Sequence, residues 1–463
     1  MYAGPEMELK LKKVHDLKEQ GIVIVKDEVR SSPTSNLKAD LIGYTIDEDG
    51  ELIPQVVVEI KDSVTKGSQQ QLMKLTEAIP VPYALLVTPE KQVWFETDTF
   101  LQAEPPIFNS SREYINSEKF QKDLLWQIVD RLRGEFRPEK TWIYIVQGML
   151  VRSYMEEMSS LHEWLDLKED DYQDLVDEAF QYYQIDLLPE KTNVNKLSFE
   201  LFKWKLGEVR HKDSKHADSL ISLSEINEYD GNHRTASSVR DLFVGLINVL
   251  KLSDYSVLEM CAGYGRITSG LLQQKDEIGS YFGMELNEYV ANYHKMLMII
   301  SGHEHIKVKQ GDVLDRDHEL PNQQDLVIID PPLGFRLPPR RYTGYELNKK
   351  AIQALDLMLE RATEILKPEG YIICFVNEAF LYQGTSENTR SLLLDRMVIE
   401  AIISLPTHTL KPLTSIKVGV LVLRKKKQDE KEPKNLFAAD CETIDEFTEA
   451  VQGFEKWKKG EEL

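Results

Sequence analysis

From about residue 226 onward, short apolar runs alternate with helix-like stretches: SVLEM, SYFGME, IKVKQG, DLVIID, YIICFV, EAIISL and VGVLVL. Few folds accept that rhythm. Strands separated by helical segments pair mainly in parallel and need helices on both faces, so a doubly wound α/β sheet is expected. Such sheets bind ligands at the carboxyl ends of their strands, which is where this chain concentrates its polar chemistry. The strand in VLEMCAGYGRI runs through Glu259 into Gly263 and Gly265, and glycines at that corner let the backbone approach a bound nucleoside. SYFGME ends in Glu285, twenty residues past Gly265, where a carboxylate would grip ribose hydroxyls. Thr268 stands where a dinucleotide fold wants a third glycine, so the cofactor need not carry a pyrophosphate. Gly311-Asp312 follows IKVKQ, and DLVIID ends in Asp330-Pro331-Pro332. A lone GxG is an ordinary tight turn and a lone Glu285 an ordinary surface carboxylate. Glu259, Gly263, Gly265, Glu285, Asp312 and Asp330 on successive strand ends are much harder to obtain by chance.

At 463 residues the chain exceeds one hydrophobic core. Residues 1–105 read as a small α/β domain: an amphipathic start (Leu9, Leu11, Val14, Leu17), strands in GIVIV, LKADLIGYT and IPQVVVEIKD, a helix in QQQLMKLTEAI, then strands in YALLVTP and QVWFET. LQAEPPIFNSS reads as a linker. Residues 106–225 are expected to form a helical middle domain, from apolar spacings of three and four in DLLWQIVDRLRGEF, WIYIVQGMLVRSYMEEMSSL and DLVDEAFQYYQI. Residues 226–427 hold the sheet, and 428–463 read as a charged, solvated tail.

The formal charge of −21 argues against a protein that wraps nucleic acid with its whole surface, so a DNA contact should be local or shared with a more basic partner. Cys261, Cys374 and Cys441 lie far apart with no CxxC pair, which excludes a disulfide framework and a thiolate zinc site. With no long apolar run and no apolar core at the N-terminus, the chain is expected to be cytoplasmic and to leave membranes alone.

The glycine loop, Glu285 and the Asp330-Pro331-Pro332 corner resemble the adenine-N6 DNA methyltransferases, particularly the methylation subunits of type I restriction-modification systems. So do GNHRTASSVRDLFVGLI before the first strand and the run from LKPEGYIICFVNEAFL to VGVLVLRKKK. The resemblance covers residues 226–427 and implies a Rossmann-like class I methyltransferase sheet that binds S-adenosylmethionine. It implies cofactor contacts from Thr235, Glu259, Gly263, Gly265, Glu285 and Asp312, and a flipped adenine held by Asp330, Pro331 and Pro332. Two departures stand out. Ala236 replaces a usual proline, and the tetrad ends in Leu333 where an aromatic would stack on the base; Phe335, two residues on, is the candidate substitute. Arg336, Arg340, Arg341, Lys349 and Lys350, interleaved with Tyr342 and Tyr345, form the best local candidate for a DNA phosphate contact.

In the N-terminal domain, Asp49-Gly50 between two alternating strands signals a hairpin. A two-residue loop would set Asp40 opposite Glu59, with Lys61 on the same face. Two carboxylates and a lysine together can hold Mg²⁺, through Asp40 and Glu59, and orient a water for phosphodiester attack. This D…ExK pattern, with Glu28 before it and Gln71 in the following helix, resembles the PD-(D/E)xK, restriction-endonuclease-like fold of type I restriction subunits over residues 5–100. The alternative is a charged hairpin face paired internally.

Together these readings describe a restriction-modification or phage-defence protein with a DNA methyltransferase and a Mg²⁺-dependent nuclease domain on one chain. Alternatives are a catalytically silent S-adenosylmethionine-binding sensor or scaffold, favoured by Leu333, and methylation of RNA or protein glutamine. After Lys427 only 36 residues follow, and the stretch DLKEDDYQDLVDEAF is acidic. Specificity is therefore expected from a separate, more basic subunit docked on the helical region, and a homo-oligomer stays open.

Overall fold

The computed structural model describes residues 5–30, 37–46, 52–108, 118–132, 136, 138–187, 194–225, 235–274, 278–338, 341–347, 352–410, 415–428, 430 and 435–461. They divide into two compact units, Met1–Glu135 with Thr192–Val209, and Phe136–Lys191 with Arg210–Leu463.

Among the described residues the first unit holds a six-stranded sheet: β1 (Ile24–Arg30), β2 (Lys38–Ile46), β3 (Leu52–Ile60), β4 (Tyr83–Val87), β5 (Gln92–Glu96) and β6 (Gln102–Ala103), in sequential order. All neighbours pair antiparallel except β3 and β4, which are parallel and joined by helix α2 (Lys66–Ala78). Helix α1 (Pro5–Glu19) supplies Val14 and Leu17 to a core with Val56, Val58 and Trp94, while α2 supplies Leu72 and Leu75 to a second core with Val57, Ala84 and Phe95. A sheet covered on both faces needs apolar residues on both, which is why β3 reads VVV without alternation. The stretch expected to be a linker contributes β6 and the buried Phe108, whose N–H donates to Gln20.

The middle helices are α3 (Glu118–Leu132), α4 (Pro138–Glu157), α5 (Glu169–Tyr182), α6 (Lys196–Glu208) and α7 (His216–Glu225). They do not form the separate domain expected at 106–225: α3 and α6 pack together in the first unit, and α4, α5 and α7 belong to the second. The reason shows in α4, which is buried continuously from Thr141 to Ser153. A helix buried on every face needs neighbours on every side, and the rings of its Trp142 and of Tyr293 lie 4.4 Å apart, tilted by 39°.

The second unit, again among described residues, has an eight-stranded sheet ordered β16-β14-β15-β13-β10-β7-β8-β9. Its strands are β7 (Tyr255–Met260), β8 (Ile278–Glu285), β9 (Lys307–Gln310), β10 (Gln324–Ile329), β13 (Leu366–Asn377), β14 (Met397–Ser404), β15 (Val418–Lys425) and β16 (Phe437–Asp440), while β11 (Arg336–Leu337) and β12 (Ile352–Gln353) form a small separate ribbon. Strands β9, β8, β7, β10 and β13 run parallel. The chain steps outward from β7 to β9 and then returns to β10 on the other side of β7, which makes the β7–β10 edge the topological switch point. The helices of this half are α8 (Ser237–Val249), α9 (Arg266–Gln273), α10 (Glu288–Ile300), α11 (Ala354–Ile365), α12 (Glu387–Arg396) and α13 (Phe447–Lys459). The C-terminal stretch departs from the expected solvated tail: β16 extends the sheet beside β14, and α13 packs on α8 with Phe454 fully buried. No described helix is long and apolar enough to cross a membrane.

Candidate functional site

Strands β7, β8 and β10 end level with one another, because Met260 pairs with both Met284 and Ile329. The next residue of each chain, Cys261, Glu285 and Asp330, therefore emerges at one edge. A cavity of about 480 Å³ opens there. It is lined by Thr235, Glu259, Gly263, Glu285, Asp312, Asp330, Pro331, Pro332 and Phe335, every residue expected in this half except Gly265.

Gly263 and Gly265 both take positive φ, 52° and 83°. The Gly263 N–H donates to Glu285 Oε2 at 3.0 Å, and the Asn287 N–H donates to Oε1 at 3.0 Å, so the carboxylate is fixed at the strand end. A Cβ on Gly263 would meet nothing nearer than the Cys261 carbonyl at 4.0 Å, which leaves a cradle beside the backbone, whereas one on Gly265 would strike the His294 ring at 2.4 Å. His294 is fully buried, and burial holds its pKa down to about 3. It packs as a neutral ring beneath the loop.

Glu259 lines the cavity and is almost wholly buried. It precedes the last residue of β7, is 2% exposed, and its Oε2 accepts from Thr268 Oγ1 and Tyr281 OH, both at 2.7 Å. Burial pushes its pKa up to about 7 against the pull of those two hydroxyls, with the charges of Asp330 and Glu285 adding to the rise. Glu259 thus braces β7 to β8 and α9 from within. The threonine that replaces a third glycine is its partner.

Asp312 accepts from the Leu314 N–H at 2.9 Å on Oδ1 and from Tyr342 OH at 2.6 Å on Oδ2. Burial and this carboxylate push the Tyr342 hydroxyl up to about 12, so it stays protonated. Asp330 Oδ2 accepts from Thr235 Oγ1 at 2.5 Å, tying the segment before α8 to the Asp-Pro-Pro corner. Leu333 is half-buried, while Phe335 is 52% exposed at the cavity, its carbonyl anchored by the Ala354 N–H at 2.9 Å. In the basic stretch the tyrosines turn inward while the described arginines stay exposed. Tyr345 is buried and donates to the Leu314 carbonyl at 2.9 Å, Tyr342 turns to Asp312, and of the cations Arg336 and Arg341 are exposed. Arg340, Lys349 and Lys350 lie outside the described residues. Aromatic rings whose hydroxyls find buried acceptors gain more from the interior than from a solvated loop.

In the first unit, Leu41 pairs with Val58 and Gly43 with Val56, which carries Asp40 to Glu59 as expected. A bulge between Gly43 and Tyr44 then shifts the register by one, so the pairing sum does not extend to the turn; Asp49 and Gly50 lie outside the described residues. Glu59 is 1% exposed; Lys61 Nζ reaches its Oε2 at 2.7 Å, and Gln71 Nε2 donates to the same oxygen at 3.3 Å. Asp40 Oδ2 accepts from the Ile60 N–H at 2.7 Å. Burial raises the Glu59 pKa, Lys61 lowers it, and the Asp40 charge raises it further. Glu59 Oε1 is buried and has no hydrogen-bond partner among the described residues. Among the described residues no group of three or more His, Cys, Asp or Glu side chains is placed to hold a metal ion, and the Glu28 side chain lies outside them.

A mostly parallel sheet with a glycine loop and carboxylates converging at its switch point defines a class I methyltransferase fold. The N-6 DNA Methylase family matches residues 223–455, just over half of the chain, and the chain belongs to that family. No curated protein sequence matches it significantly. Among solved structures, the type I restriction-modification methyltransferase subunit from Streptococcus thermophilus is similar at TM-score 0.53 and 16% identity, over 74% of this chain and 94% of that one. A modification subunit assigned to a type I restriction enzyme of Vibrio vulnificus gives 0.53 and 15%, over 77% and 91%. A Listeria monocytogenes protein assigned to the class I S-adenosylmethionine-dependent methyltransferases gives 0.50 and 17%, over 67% and 98%. At these identities the likeness is one of fold.

Proposed function

We propose that the second unit transfers a methyl group from S-adenosylmethionine to the exocyclic N6 of adenine in DNA, within a restriction-modification or phage-defence system. The observation that carries this reading is the single cavity onto which Gly263, Glu285, Asp312 and the Asp330-Pro331-Pro332 corner all open. Its donor set suits the cofactor: fixed carboxylates accept from ribose and base and attract a sulfonium and an ammonium, and the bare backbone at Gly263 leaves space that a side chain would fill. When bound, S-adenosylmethionine supplies an electrophilic methyl on sulfur. Adenine's amino nitrogen is a poor nucleophile because its lone pair is delocalised into the ring. Asp330 and the Pro331 carbonyl would accept its two hydrogens and direct the lone pair to that methyl, with positioning giving most of the rate. Phe335 would stack on the base after it leaves the duplex. A more basic subunit docked on the acidic helices would supply sequence specificity.

The test separates binding from transfer. Asp330→Ala should abolish methylation and leave S-adenosylmethionine affinity nearly intact, whereas Glu285→Ala should weaken that affinity at least tenfold in calorimetry. Equal loss of binding in both variants would contradict the roles, and binding without transfer in the wild type would favour the silent scaffold.

A second reading, a Mg²⁺-dependent nuclease in the first unit, is favoured by the buried, unpartnered Glu59 Oε1 beside Asp40 and Lys61. Asp40 and Glu59 would hold the ion, with waters completing its shell. Lys61 would face the attacked phosphate.

A further inference from the structure

The segment Arg341–Leu347 runs back along the loop that follows β9, and two of its tyrosines grip that loop. Tyr342 OH donates to Asp312 Oδ2 at 2.6 Å; three residues on, Tyr345 OH donates to the Leu314 carbonyl at 2.9 Å. The Arg316 guanidinium covers the Tyr345 ring at 4.4 Å from its centroid. Gly344 makes that approach possible, since it takes φ +79° and a Cβ there would lie 2.9 Å from Arg316 Cδ and Nε. The segment's far end is fixed by the buried Glu360, which accepts from the Glu346 N–H at 2.7 Å and the Leu347 N–H at 3.0 Å. The outcome is a strap, and the group it holds is Asp312.

A terminal carboxylate has a broad rotational preference about its last bond. Asp312 lacks that freedom, because Oδ1 accepts from the Leu314 N–H and Oδ2 from Tyr342. Each oxygen keeps a further lone pair. Asp312 and Tyr342 both line the cavity.

We propose that Tyr342 is a positioning residue for the cofactor: its hydroxyl fixes the Asp312 carboxylate in the orientation that receives a hydrogen-bond donor from the adenosine part of S-adenosylmethionine. The inference rests on the cavity being the S-adenosylmethionine site. Rigidity supplied before binding lowers the ordering cost of binding.

Tyr342→Phe keeps the ring and removes only the hydroxyl. Calorimetry with S-adenosylhomocysteine should show about tenfold weaker binding, in the range of one hydrogen bond to a charged group. In steady state the loss in kcat/KM should be carried by the KM for S-adenosylmethionine, with the thermal midpoint unmoved. A merely structural tyrosine would move the midpoint and leave no such split. Asp312→Ala gives the second check: in that background Tyr342→Phe should add no further loss, because the pair acts as one unit. Binding by Tyr342→Phe within twofold of wild type, or additive losses in the double variant, would overturn the inference and leave the cavity assignment standing. Wild-type protein that binds no S-adenosylhomocysteine would overturn both.

Discussion

Glu259→Gln isolates one buried charge at nearly constant shape. The glutamine carbonyl can still accept from Thr268 and Tyr281, as the carboxylate does at 2.7 Å, but cannot ionise. In the folded protein the carboxyl titrates near about 7 against an ordinary value of 4.5, principally because burial penalises its charge. The folded state therefore holds this proton more tightly than the unfolded chain. Its stabilising contribution is complete below about pH 4.5 and is lost as pH rises through about 7. The two values together correspond to about 3 kcal/mol, most of which falls between pH 5 and pH 8. Because the two units need not unfold together, the readout must be local: hydrogen exchange followed by mass spectrometry on Tyr255–Met260 and Ile278–Glu285, corrected for intrinsic rates. The wild-type opening free energy should fall by most of that amount relative to Glu259→Gln on going from pH 5 to pH 8. His294, whose buried ring titrates with the opposite sign at lower pH, is common to both proteins and cancels. Wild type and variant changing in parallel, within about 0.5 kcal/mol, would refute the argument that the brace is a carboxyl poised near neutrality.

Phe335→Ala should lower methylation kcat/KM by about 10- to 100-fold, the worth of one base stack, while Phe335→Tyr stays close to wild type; an alanine variant within twofold of wild type would remove Phe335 from the base pocket. Asp40→Asn and Glu59→Gln should each eliminate Mg²⁺-dependent DNA cleavage and leave methylation unchanged. Cleavage that persists in both variants would assign the Glu59–Lys61 pair to a structural role.

Strand positions could be read in both units because buried strands spell out their environment. VVVEI and LVIID are short, apolar and β-branched, and each is covered on both faces. The allocation of the middle helices could not be read, since apolar spacing tells which face of a helix such as α3 is buried but not against what, and α4 is buried on every face. The C-terminal stretch was obscured by its charge. Even so, Phe447, Ala450 and Phe454 recur at spacings of three and four and are all buried, a signal that the lysine and glutamate run beside it outweighed. The bulge at Gly43/Tyr44 is marked only by a glycine inside a strand; because Tyr44 pairs with Pro54 while Gly43 pairs with Val56, the register counted from the turn signal fails beside the turn and holds only past the bulge.

At the edge of the second sheet, the candidate residues at or just past strand ends come together on one cavity, because the end of a strand in a doubly wound sheet is a position fixed by topology. Glu285, Asp312 and Asp330 are such residues. Glu259 sits one step inside the end of β7 and lines the cavity, but its Oε2 is taken up by Thr268 and Tyr281, partners that strand-end reasoning does not name. The tyrosine strap was misread for a different reason. Arginines interleaved with tyrosines fit a phosphate-binding loop and a clamp equally well, and only the partners decide between them. Tyr342 and Tyr345, three apart around Gly344, have those partners in Asp312 and Leu314. The strap's second signal was the glycine: a residue that must let Arg316 close over a ring belongs to a packed turn, and this turn holds the Asp312 carboxylate at the cavity while Arg336 and Arg341 stay exposed.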